Sequence, residues 1–115
     1  MEPFRLDLTP QISSDGRTNV TRLDGKLTLE TVHNFISAMR AETTPRLVLD
    51  MSGVSFLDSA GVGALVQIFV HRRAQQQAFA LAALPKQSDA VMTVAGMRKL
   101  MPIYESVEQA RTATT

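Results

Sequence analysis

The chain has 115 residues, 44% of them hydrophobic and 20% charged, with a formal net charge of +1 and no cysteine. That length suits one hydrophobic core, and the composition lies outside the low-hydrophobicity, high-charge corner where disorder is expected. Near-neutral charge and 5% aromatic residues speak against a nucleic-acid ligand, and the missing cysteines exclude disulfides, thiolate catalysis and cysteine zinc sites, as expected of a cytoplasmic protein. The start, Met1-Glu2-Pro3-Phe4-Arg5-Leu6-Asp7, lacks a basic region followed by an apolar stretch, and no run of about 18 apolar residues occurs, so neither an export signal nor a membrane span is expected.

Phe4, Leu6 and Leu8 alternate with Arg5, Asp7 and Thr9, the period of a strand with one covered face, and Pro10 suits a sheet edge. The Asp15-Gly16 pair signals a hairpin, with a second strand over Val20 to Leu23 that stops at Asp24-Gly25. Thr28 is placed to cap a first helix with Leu29, Val32, Ile36 and Met39 on one face, ending before Thr43-Thr44-Pro45. Leu47 to Met51 is apolar except for Asp50, as expected of a strand covered on both sides, and a short turn follows it.

From Ser59 onward Val62, Leu65, Val66, Phe69 and Val70 repeat at helical spacing, and Arg72 and Arg73 stand where cations favour a helix C-terminus. Phe79 to Leu84 reads as a strand ended by Pro85, and Ser88 as the cap of a short helix through Ala95 that Gly96 stops. Met101 to Tyr104 is a short strand candidate. Ser106 and Gln109 have capping-box spacing for a last helix to about Ala113, with Thr112 to Thr115 as a frayed tail. The expected fold class is α/β: a single domain over 1–115, ordered from about 4 to 111, with an N-terminal hairpin, a mixed β-sheet and about four α-helices packed on it.

The most informative residue is Ser59, where strand gives way to helix. A helix N-terminus exposes unpartnered N–H groups and partial positive charge, so a serine there can cap the helix or carry a phosphate. Position alone favours the cap. The small neighbours Ala60, Gly61 and Gly63 leave the helix start accessible to a second protein.

The run Val54-Ser55-Phe56-Leu57-Asp58-Ser59-Ala60-Gly61-Val62-Gly63 resembles the signature of the STAS domain of bacterial anti-sigma factor antagonists. Leu23-Asp24-Gly25-Lys26-Leu27, Ala95-Gly96-Met97 and Ile103 to Ala110 extend the resemblance over nearly the whole chain. It implies a protein that is not an enzyme but a switch, with Ser59 as phosphoacceptor. The unmodified form would bind an anti-sigma factor that is also an ATP-dependent serine kinase, releasing the sigma factor; phosphorylation of Ser59 would end binding, and a serine phosphatase would reset it. Asp58, Ala60, Gly61 and Val62 would centre the docking surface, with Gly61 permitting close approach by the partner and Leu27 and Thr28 at the margin. Ala60 stands where many members have a second hydroxyl, which implies a single-site switch, and Thr28 where many have an aspartate. A monomer is expected when free.

The same domain also serves as a static scaffold subunit of stress-signalling complexes or of lipid-transport systems, which is the alternative. As a module on anion transporters it would need an attached membrane segment, and none is expected here. An enzyme is poorly supported: His33 and His71 form no metal-ligand or Ser-His-acid arrangement, and Gly61 and Gly63 lack the lysine and spacing of a phosphate-binding loop. No metal or cofactor is expected. His71-Arg72-Arg73 reads as an ordinary helix end, Met39, Met51, Met92 and Met97 as core, and Asp50 stays open between solvated, capping and ligand-facing roles.

Overall fold

A computed structural model describes residues 4–114. Met1, Glu2, Pro3 and Thr115, which belong to the expected start and tail, lie outside the described residues. In chain order the elements are β1 (Leu6–Ile12), β2 (Thr18–Leu27), α1 (Val32–Arg40), β3 (Arg46–Leu57), α2 (Ser59–Ala74), β4 (Ala78–Ala82), α3 (Lys86–Val94), β5 (Ile103–Tyr104) and α4 (Val107–Thr114), with a 3-10 turn at Met97–Lys99. One sheet holds the strands in the order β1-β2-β3-β4-β5. The β1–β2 hairpin is antiparallel and the other pairs are parallel, giving the expected mixed sheet with β1 at its edge.

Alternation along the central strand divides the core. Leu47, Leu49 and Met51 join Phe35 and Met39 of α1, Leu65 and Ile68 of α2 and Met92 of α3 in the main cluster, whereas Val48 joins Ala80, Ala82 and Ala110 in a smaller cluster under α4. Three helices therefore cover one face and α4 the other, and both neighbours of β3 bury it as its apolar run requires.

Several local expectations are corrected. β2 does not stop at Asp24-Gly25 but continues to Leu27, because Gly25 at φ +125° lets β1 cross closely: a Cβ there would sit 2.1 Å from the Arg5 carbonyl oxygen. β3 likewise runs on to Leu57 without a turn; two bulges, one opposite Leu23, where Arg22 pairs with Asp50 and Asp24 with Gly53, and one between the pairs Gly25–Val54 and Lys26–Phe56, absorb its extra residues. Thr28 is not a cap. It is buried in a turn whose N–H donates to Thr31 Oγ1 (3.1 Å), and α1 begins after Thr31, so Phe35 enters the core in the register Val32-Phe35-Ile36-Met39 while Leu29 is 69% exposed. α3 starts at Lys86, which leaves Ser88 inside the helix, fully buried, with no hydrogen-bond partner for its hydroxyl among the described residues. α4 extends through Thr112, so that part of the tail is helical; at its start Gln109 N–H donates to Ser106 Oγ (3.1 Å) as the box requires, but Gln109 Oε1 accepts from Glu105 N–H (3.2 Å) rather than from Ser106.

Arg72 departs furthest from expectation. It is not a solvated last-turn cation but is 0% exposed, donating to the carbonyls of Thr44 (2.6 Å), Ala78 (3.1 Å) and Glu42 (3.3 Å). Its guanidinium thus ties the end of α2 to the loop between α1 and β3. Burial pulls its pKa down from the ordinary value while the Glu42 carboxylate opposes that. Glu42 itself receives the Thr44 N–H (2.8 Å) and the Asn19 amide. Burial works against its ionisation, but the bonds from Thr44 and Asn19 and the charge of Arg72 together hold its pKa below the ordinary glutamate value.

Candidate functional site

The site grows from the corner between β3 and α2. Beyond Asp50 the central strand has no further pairing with β4, and its last residues run alongside β2 alone, ending at the pair Leu27 and Leu57. Asp58 then turns the chain. Its extended backbone makes it the N-cap of α2, with Oδ1 accepting the Gly61 N–H (2.8 Å). Its other oxygen accepts the Leu29 N–H (3.1 Å), and its own N–H points at the Leu27 carbonyl (3.4 Å). One carboxylate thereby joins α2 to the turn before α1.

Ser59 is accordingly not the cap. It is the first residue of α2, exposed, and its hydroxyl makes no hydrogen bond among the described residues. Ala60 is half-buried beside it. Gly61 and Val62 are buried, Gly61 because the chain itself closes on it: a Cβ would lie 2.3 Å from the Leu27 carbonyl oxygen and 2.6 Å from Leu57 Cδ1. The close approach that Gly61 permits is therefore made by β2, and Gly63, exposed with nothing within 4 Å of a Cβ, is the glycine open to the outside. Leu27 and Thr28 are 0% and 5% exposed; the side chains that face out at this margin are those of Leu29 and Glu30.

An apolar groove, not foreseen from the sequence, opens next to Ser59. Val62 on α2 and Ala90, Val91, Val94 and Ala95 at α3 line it, with Ser59 at its rim. Val94 is 90% exposed and Leu29, tethered to Asp58, 69%, so apolar side chains are left open on this face. Val94 is the sole sequence signal, a large apolar residue off the buried stripe of its helix. Gln87 was also missed. Its side-chain amide accepts the Leu57 N–H (2.9 Å) and donates to the Leu57 carbonyl (2.8 Å), which joins α3 to the last residue of β3.

The other candidates lie elsewhere. His33 is exposed on α1 and His71 half-buried on α2, and among the described residues no three His, Asp or Glu side chains are placed to hold a metal. Asp50 accepts from the Ser52 hydroxyl (2.7 Å) and N–H (3.1 Å), with Arg22 Nη1 at 3.8 Å, so it stabilises the bulge of β3. Met39, Met51 and Met92 are buried and Met97 half-buried. Among the described residues no helix is long and apolar enough to cross a membrane.

Comparison with known proteins agrees with this architecture. The model of the STAS domain matches residues 9–110. An anti-sigma factor antagonist from Mycobacterium paratuberculosis is similar with TM-score 0.86 at 23% identity, over 97% of this chain and 96% of that one. The anti-sigma factor antagonist SpoIIAA in its unphosphorylated form gives 0.70 at 19% identity over 90% and 92%. A sulfate transporter family protein from Wolinella succinogenes gives 0.76 at 12% identity over 90% and 88%, so the fold is shared by proteins with different descriptions. With nearly its whole length matched and the mixed sheet, hairpin and four helices in place, the chain belongs to the STAS domain family.

Proposed function

We propose that this protein is an anti-sigma factor antagonist switched at Ser59. Without phosphate it binds an anti-sigma factor that is also an ATP-dependent serine kinase, and the sigma factor is released. The kinase transfers the γ-phosphoryl of ATP to the Ser59 hydroxyl, the complex separates, and a serine phosphatase restores the hydroxyl by hydrolysis. The chain itself catalyses nothing. The observation that carries this reading is the exposed hydroxyl of Ser59, without a hydrogen bond among the described residues, on the rim of an apolar groove and next to a cap that Asp58 supplies. SpoIIAA, described in an unphosphorylated form, has the same fold.

The energetics follow from that placement. Phosphate adds about −1.5 to −2 charges beside the Asp58 carboxylate. In the free protein, water and the unpartnered N–H groups of the first helical turn solvate it. With an apolar partner surface seated on the groove, the same charge is desolvated or repelled. A penalty of about 3 kcal/mol lowers affinity roughly a hundredfold, at about 1.4 kcal/mol per tenfold.

The test is incubation with ATP and an anti-sigma serine kinase, with the phosphate located by mass spectrometry. Phosphate on Ser59, retained binding without phosphate uptake by Ser59→Ala, and weakened binding by Ser59→Asp are expected. Phosphate on another residue would overturn the assignment. Equal affinity for both variants would favour the static scaffold instead.

A further inference from the structure

We infer that Gln87 is a positioning residue for the Ser59 corner, fixing the α3 wall of the docking groove against the phosphoacceptor. The inference rests on the switch reading for its functional half and on geometry alone for its structural half. β4 stops pairing with β3 at Asp50 and Ala82, so the side of β3 that faces α3 is left without a strand neighbour over its last seven residues, Met51 to Leu57. Backbone groups left unpaired away from water are costly, and helix α3 supplies the remedy at the final residue. The Gln87 side chain carries one acceptor and two donors, and it uses one of each on Leu57 N–H and C=O as a strand neighbour would.

Leu57 directly precedes Asp58 and Ser59, while Gln87 sits on the first turn of α3, one turn before the groove residues Ala90 and Val91. The pair of bonds therefore sets the separation between the serine and the apolar wall on the opposite side of the groove. From the other side the same corner is held by Asp58 through Leu29 and Gly61. Gln87 is the α3 member of this support. Loss of its bonds frees the wall to move relative to Ser59, which weakens docking more than it affects transfer once the complex has formed.

The test compares wild type with Gln87→Met, which keeps side-chain length but neither bond, and with Gln87→Glu, which keeps only the acceptor for Leu57 N–H. Amide hydrogen exchange is measured on the free proteins. Exchange at Leu57 about tenfold faster in Gln87→Met, with unchanged far-UV circular dichroism, is expected, and slower exchange at Leu57 in Gln87→Glu than in Gln87→Met. With an anti-sigma serine kinase that phosphorylates wild type, and with substrate concentrations counted as folded protein because loss of folded substrate would also raise the apparent KM, Gln87→Met raises KM about tenfold at unchanged kcat. Leu57 exchange equal to wild type in Gln87→Met, or wild-type KM, would overturn the inference. Absence of phosphate on Ser59 in wild type would instead overturn the switch reading, and Leu57 exchange then decides the positioning role by itself. Should Gln87→Met fail to fold, the side-chain amide protons of Gln87 in wild type give the answer: slow exchange with a contact to the Leu57 amide supports the pair of bonds, and solvent-like exchange overturns it.

Discussion

Two glycines of the same helix should respond to the same substitution with opposite signs. Alanine is favoured over glycine in a helix interior by about 1 kcal/mol. At Gly63 an added methyl meets nothing within 4 Å, so Gly63→Ala gains up to about that amount. At Gly61 the methyl would stand 2.3 Å from the Leu27 carbonyl oxygen and 2.6 Å from Leu57 Cδ1. The Leu57 side chain can rotate, but the carbonyl belongs to the last residue of β2, which is buried and in register with Leu57. The helix start must retreat, which loosens the Asp58–Gly61 cap. Overpacking costs about 1–3 kcal/mol and a disturbed cap about 1 kcal/mol. Set against the helix propensity gain of about 1 kcal/mol, the net for Gly61→Ala is a loss of about 2 kcal/mol. For a domain of this size that lowers the melting midpoint by about 8 °C, while Gly63→Ala raises it by about 4 °C. Thermal unfolding followed by calorimetry in one buffer measures both. A Gly61→Ala protein that melts at or above wild type, or a shift of both variants in the same direction, would refute the reasoning.

Three further outcomes follow from buried or half-buried polar groups. Arg72→Met leaves three loop and strand carbonyls without their donor and should lose more than about 3 kcal/mol in urea unfolding, with Arg72→Lys recovering only part because an ammonium cannot span the same fork. Ser88→Ala removes a buried hydroxyl that has no partner among the described residues, so the same assay should show a gain of about 1 kcal/mol. Glu42 has a lowered pKa when folded, so on acidification the unfolded chain takes up the proton first. Its contribution is complete above the ordinary glutamate value of about 4.3 and fades as pH falls through the lower folded value. Denaturant midpoints measured from pH 6 down to about pH 3 should fall less steeply for Glu42→Gln than for wild type.

How much of this was legible depended on whether the deciding partner was near in sequence. The Asp15-Gly16 hairpin, the Ser106 cap on the Gln109 N–H and the apolar run of β3 involve neighbours a few residues apart, and all three are in place. Asp58 and Ser59 are both good caps by type. What separates them is the Leu29 N–H, 29 residues upstream, which the Asp58 carboxylate reaches while it also caps α2. Arg72 has the local pattern of a solvated cation, and its burial is dictated by carbonyls in a loop about 30 residues away. The groove between α2 and α3 had no signature at all beyond Val94, because it is made by two helices that the sheet brings together. Position could suggest Ser59 as the centre of the site. The surroundings that leave its hydroxyl unbonded come from tertiary structure.

That division of roles between adjacent residues has a consequence for how a switch at this corner operates. If Ser59 were the cap, a phosphate on it would remove a cap worth about 1 kcal/mol and the signal would include partial loosening of the helix start. Asp58 holds both the cap and the tether to Leu29, so a negative group on Ser59 breaks no bond of the folded chain. It is placed at the positive end of the α2 dipole, where an acidic group is favoured by about 0.3–1 kcal/mol, partly offset by the Asp58 charge. Ser59→Asp should therefore leave the stability of the free protein within about 0.5 kcal/mol of wild type, whereas Asp58→Ala costs about 1–2 kcal/mol or more because two backbone donors lose their acceptor. Melting of both variants without any partner is the measurement. A Ser59→Asp protein as destabilised as Asp58→Ala would mean that the serine supports the fold, and a modification there would then act by unfolding the corner rather than by excluding a partner from an intact one.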